Sequence, residues 1–121
     1  MNTPDNITEL RDNEIFVFGS HESGHHAGGA ARYAVNNFGA IVGQGEGPQG
    51  QSYALPTMGS PEELEVAVGR FLWFANTRRD LTFLVTKVGT GIAGLKVEDV
   101  APLFKDRSPN VVLPIEFEAF A

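Results

Sequence analysis

Residues 14–35 read EIFVFGSHESGHHAGGAARYAV, and their reading decides the fold. Glu14 to Phe18 is a compact β-branched and aromatic run, the pattern of a buried strand, and Gly19 stops it. Ala30, Ala31, Ala34, Val35 and Phe38 then recur at helical spacing, and Gly39 stands where a helix-ending glycine belongs. A strand, a glycine-rich loop and an alanine-rich helix make the front half of a βα unit. The loop also holds all three histidines of the chain, His21, His25 and His26.

The pattern continues outward. Ala40–Val42 reads as a short strand, GQGEGPQGQ (43–51) as a loop, and Ser52–Leu55 as another strand ended by Pro56. Ser60-Pro61-Glu62-Glu63 is a strong helix start, with a serine cap, a proline at the first position and a glutamate three residues after the cap. The apolar stripe Leu64, Val68, Phe71, Leu72 and Ala75 carries that helix to about Arg79. Leu81–Val88 is the clearest strand, GTGIAGLK follows it, and a short helix spans Val97–Phe104. Asn110–Leu113 is a last strand and IEFEAFA a tail. Residues 1–13 are expected to form an arm or a short first turn. Alternating strands and helices imply an α/β layered fold with a largely parallel or mixed sheet, in one domain over residues 1–121.

Composition excludes several function classes. The net charge is −6 and the longest basic run is Arg78-Arg79, a poor match to phosphate-neutralising nucleic-acid binders. Without cysteine there are no disulfides, thiolate nucleophiles or cysteine zinc sites. The N-terminus is polar and acidic, unlike a signal peptide, and no apolar run approaches membrane-spanning length. A cytoplasmic protein with no nucleic-acid or membrane partner is the expectation. An anionic small ligand remains compatible with this charge, because backbone N–H groups can hold phosphate without side-chain cations.

Each motif has a bland reading beside its functional one. Gly89-Thr90-Gly91-Ile92-Ala93-Gly94 fits G-x-G-x-x-G between a strand and a helix, where glycines let backbone approach a pyrophosphate. Too little chain follows Gly94 for a Rossmann domain, so the choice is an amide cradle or a plain βα turn. Gly19–Gly24 fits the front of a P-loop, but His25-His26 replace the required Lys and Ser/Thr. The histidines lack the spacing of a metal site, and no metal or cofactor is expected. Glu46 offers a lone general base or hydroxyl acceptor within a glycine loop. Trp73 and Phe74 are expected in the core.

Three blocks, FVFGSHESGHHAGGAA, GQGEGPQGQSYALPT and GTGIAG, resemble the macrodomain family, which binds ADP-ribose and related nucleotides. The nearest pattern is that of a compact bacterial and phage branch, FVFGSN-x-x-G-x-H-G-x-G-A-A, GQGEG-x-x-G-x-SYA-x-PT and G-x-G-x-AG, matched over about residues 15–114. The resemblance implies a three-layer α/β/α sandwich with a ligand crevice over the sheet. Gly28, Gly29, Ala30 and Ala31 would line the diphosphate on one side and Gly89 to Gly94 on the other, with Gly19 and Ser20 also among the ligand-binding residues. His21 stands where an asparagine holds the distal ribose in hydrolytic macrodomains. Ala27 and Gly28 also depart from the pattern, whereas His26 matches it. The resemblance thus implies nucleotide binding more directly than turnover. An enzyme would hydrolyse an ADP-ribose derivative with His21, His26 or Glu46 near the distal ribose. The alternatives are sequestration of a nucleotide signal without chemistry, or an interaction module that has lost the pocket.

Overall fold

Ile15 and Val17 face one side of the first strand and Phe16 and Phe18 the other, and both sides are covered: none of the four is more than slightly exposed. The computed structural model describes every residue except Ala27 and Ile92. Among the described residues it is a mixed α/β structure with five strands and four α-helices. The strands are β1 (Glu14–Ser20), β2 (Gly47–Gln49), β3 (Ser52–Pro56), β4 (Thr82–Val85) and β5 (Val111–Val112). They lie in the order β2-β3-β1-β4-β5, so β1 is central. It pairs in parallel with β3 and β4, and β4 with β5. Only the β2–β3 pairing is antiparallel among the described residues.

Helix α1 (Gly29–Asn37) covers the Phe16/Phe18 face, where Ala31, Ala34, Phe38 and Ala54 complete a small core. Alanines at the contact let the helix approach closely, while the rings of Phe16 and Phe38 supply the apolar bulk, 5.0 Å apart. The opposite face carries the larger core. There α2 (Pro61–Thr77) packs Leu64, Val68 and Phe71 onto Leu55, Phe83 and Val85. Helix α3 (Val97–Val100), the 3₁₀ turn Ala101–Phe104 that continues it, and α4 (Ile115–Glu118) add Val100, Phe104 and Phe117. Phe71 is the hub, with ring centres of Tyr53, Phe83 and Phe104 at 5.0, 5.5 and 6.3 Å. Each such buried side chain contributes roughly 1.5–3 kcal/mol of transfer free energy.

The start of α2 forms the expected capping box. The Glu63 N–H donates to Ser60 Oγ at 3.2 Å, and the Ser60 N–H donates to Glu63 Oε1 at 2.9 Å. Those bonds hold the Glu63 carboxyl below the ordinary carboxylate range.

Six expectations need correction. Ala40–Val42 is not a strand but a turn, with Ile41 and Val42 52% and 61% exposed. The Ile41 N–H is taken at 2.6 Å by the Gln49 side chain, not by a neighbouring strand. The strand beside β3 is instead β2, inside the stretch expected to be all loop, and it doubles back through Gly50-Gln51. Strand β4 ends at Val85, short of Val88, because the chain folds back where the Val88 N–H reaches the Thr86 carbonyl at 2.7 Å. The helix from Val97 tightens to 3₁₀ geometry around Pro102, which has no N–H to continue the α pattern. The tail is folded: α4 begins after Pro114 and buries Phe117 completely. Trp73, expected inside, is 70% exposed on α2, whereas Phe74 packs 5.9 Å from Phe83.

Residues 1–13 form neither helix nor strand, yet they are fastened to the far edge of the sheet. The Thr3 N–H donates to the Leu113 carbonyl (2.9 Å) and Thr3 Oγ1 to the Val112 carbonyl (3.0 Å), and Ile7 and Leu10 pack on the smaller core. No helix among the described residues is long and apolar enough to cross a membrane.

The folded tail gives a clean contrast. Phe117→Ala should lower the unfolding free energy by about 3–5 kcal/mol in urea titrations, the cost of a large core cavity. Exposed Ile115→Ala, on the same short helix, should stay within about 0.5 kcal/mol of wild type. Equal effects would contradict the docking of α4.

Candidate functional site

The two glycine-rich stretches near the histidines meet backbone to backbone. Strand β1 ends at Ser20 and the chain turns at once, with the Gly24 N–H on the His21 carbonyl at 2.9 Å. The Gly43 N–H then donates to the Gly24 carbonyl at 2.8 Å. Gly24 has φ +74, and a Cβ there would lie 2.3 Å from the Gly43 carbonyl carbon. A Cβ on Gly45 would lie 2.1 Å from the Glu22 oxygen. Ser20 Oγ donates to the Gly45 carbonyl and closes the contact. Gly24 and Gly45 therefore serve close packing behind the histidine loop.

In front of that loop, at the carboxyl ends of β1 and β4, lies a cleft of about 600 Å³. Its floor is tight: a Cβ on Gly19 would meet Thr57 Oγ1 at 3.3 Å and the Gly89 nitrogen at 3.4 Å. One wall is the first turn of α1, from Gly28 to Ala31, and the other is the turn after β4, with Gly89, Gly91 and Ala93. The Gly28 cap makes no side-chain hydrogen bond to that first turn, so among the described residues the leading amides of α1 have no side-chain partner. Of the residues singled out in the sequence, Gly19, Ser20, His21, His26, Gly28, Gly29, Ala30, Ala31, Gly89, Gly91 and Ala93 border the cleft. Thr90 and Gly94 do not. Thr90 Oγ1 donates to the Lys87 carbonyl at 2.8 Å and the Gly94 N–H to the Gly91 carbonyl at 3.0 Å, so both residues close the turn itself. Ile92 and Ala27 lie outside the described residues.

The three histidines occupy different environments. His21 is exposed, and its Nδ1 accepts from the Ser23 N–H at 3.0 Å. An acceptor at Nδ1 puts the proton of the neutral ring on Nε2, the atom left for a ligand. His26 is only 3% exposed, takes the left-handed conformation (φ 39) and stands edge-on to Phe18. Its Nε2 donates to the Gln44 carbonyl at 2.9 Å, and its buried Nδ1 has no partner among the described residues. His26 thus stitches the wall of the cleft to the β2–β3 hairpin. His25 is exposed at the rim.

Glu46 is not in this cleft, which corrects its candidacy as a catalytic base. Both its oxygens engage Arg70 of α2, at 2.6 and 2.8 Å, and the pair borders a separate hollow of about 320 Å³. A bidentate guanidinium commits both oxygens and fixes the hairpin to α2. Burial, helped by the Glu46 charge, pushes the nearby Tyr53 hydroxyl up to about 12. Among the described residues no group of three His, Asp or Glu side chains could hold a metal ion.

Lys87 is the residue that sequence reading passed over. It lines the cleft with Thr57, Met58, Thr86 and Val88, and it equally lines a second hollow of about 460 Å³ under residues 3–8. The only sequence signal was its place immediately before the GTGIAG turn, and a lone exposed lysine after a strand is usually solvated surface.

The interlocked glycines generate a prediction. Gly45→Ala must displace backbone and should cost about 1–3 kcal/mol, read as a lowered melting temperature. Gly28→Ala, where φ is −157 and a Cβ meets nothing within 4 Å, should leave the melt unchanged.

Comparison of the chain with protein-family profiles, with curated proteins and with solved structures gave no match in any of the three.

Proposed function

We propose that the cleft binds ADP-ribose or a related nucleotide, and that the helix–sheet–helix arrangement is of the macrodomain type. The observation that carries this reading is the position of the uncapped first turn of α1 and the Gly89–Gly91 turn on opposite sides of one cleft. Amides at a helix start carry partial positive charge and favour a phosphate. The carboxyl ends of parallel strands are where open α/β sheets take their ligands. A volume of about 600 Å³ also falls within the range of small-molecule sites. The reading places the protein in the cytoplasm with a nucleotide as its partner.

Binding without turnover is the better supported form. Among the described residues lining the cleft there is no carboxylate to activate water. Glu46 is engaged elsewhere, and the His26 ring is buried with Nε2 committed. One observation favours a second reading, hydrolysis of an ADP-ribose derivative: His21 presents a free Nε2–H at the cleft with its ring oriented by Ser23.

Titration calorimetry with ADP-ribose should give saturable heat and a raised melting temperature at sub-millimolar ligand. Chromatography after long incubation should return the ligand intact. Absence of both heat and thermal shift at millimolar ADP-ribose, cyclic ADP-ribose and NAD would rule the reading out. A new product, lost in His21→Ala, would establish the hydrolytic form.

A further inference from the structure

The two hollows on this side of the sheet meet at one saddle. Gly29, Ala30, Thr86 and Lys87 line both. The backbone of the saddle is held firmly. The Thr86 N–H and Oγ1 both bond the Val17 carbonyl, at 3.1 and 2.8 Å, and the Lys87 carbonyl accepts from Thr90 Oγ1. Only the lysine head is loosely placed. Its Nζ lies 3.5 Å from Glu116 Oε2 of α4, and both side chains are well exposed (48% and 39%). Such a pair is weak in water and is readily exchanged.

Charge makes the lysine more than a neighbour. The chain carries −6 overall, and Lys87 is the one permanent cation among the described residues lining either hollow. Glu116 is the one carboxylate paired with it. Its second oxygen, Oε1, is buried with no partner among the described residues. Oε2 is thus the oxygen that competes for Nζ with any anion at the saddle.

We propose that Lys87 is an exchangeable anion clamp: its ammonium leaves Glu116 for the phosphate of a ligand seated at the saddle. This rests on the nucleotide reading above and deepens it. The favoured ligand carries its phosphate centrally, with one arm in each hollow, and the affinity is set partly by a side-chain cation and not by amides alone.

Calorimetry with ADP-ribose on wild type, Lys87→Met and Glu116→Gln tests the exchange, with melting curves as the folding control. Lys87→Met should bind about tenfold more weakly, the size of one charge-assisted hydrogen bond. It should also lose most of the wild-type sensitivity to added salt. Glu116→Gln should bind more tightly than wild type, because the competitor is gone. Unchanged affinity in Lys87→Met, or weaker binding in Glu116→Gln, would overturn the clamp and leave the nucleotide reading standing. No ADP-ribose binding by wild type would overturn both.

Discussion

The rest of the structure depends on β1 being buried on both faces. Phe16 and Phe18 fill one core and Ile15 and Val17 the other, so a slip of one residue would exchange aromatic rings for β-branched side chains on each side. The register is therefore fixed, and so are the neighbours of the strand's end. Ser20 lies opposite Pro56 and Val17 opposite Val85. The Ser20 and Val17 carbonyls then take the amides of Thr57 and Thr86 at 2.9 and 3.1 Å. The floor of the cleft follows directly from core packing that lies beneath it.

Two kinds of glycine look alike in the sequence and act differently in the fold. Gly24 and Gly45 exist because backbone lies where a side chain would be. Gly28 has open space around it and sits at the mouth of the cleft. The first kind ties the histidine loop to the hairpin, and the second leaves the start of α1 accessible. The histidines divide in the same way: His26 belongs to the scaffold, while His21 and His25 are exposed at the cleft, and of these two only the His21 ring is oriented by a hydrogen bond, from Ser23.

Much of this was legible from residue patterns. The run Ile15–Phe18, the capping box at Ser60 and the strand before GTGIAG each announce themselves locally; the first two formed near their expected bounds, and the third formed but stopped three residues early at Val85. What escaped depends on contacts distant in sequence. Ile41 and Val42 look like a strand, but the Gln49 side chain captures the Ile41 amide. Phe117 looks like tail until the core formed by Phe104 receives it, ring centres 6.1 Å apart. Glu46 looked available until Arg70, 24 positions away, took both its oxygens. Lys87 carried no motif, and only the convergence of two hollows gives it meaning.

The central claim is that one nucleotide phosphate sits between the first turn of α1 and the turn after β4. The most direct measurement is the crystal structure of the protein soaked with ADP-ribose. Ordered diphosphate density is expected within hydrogen-bonding reach of the amides of residues 29–31, with Lys87 turned from Glu116 toward it. An empty cleft at saturating ligand, or a ligand ordered only in the hollow beside Arg70, would contradict it.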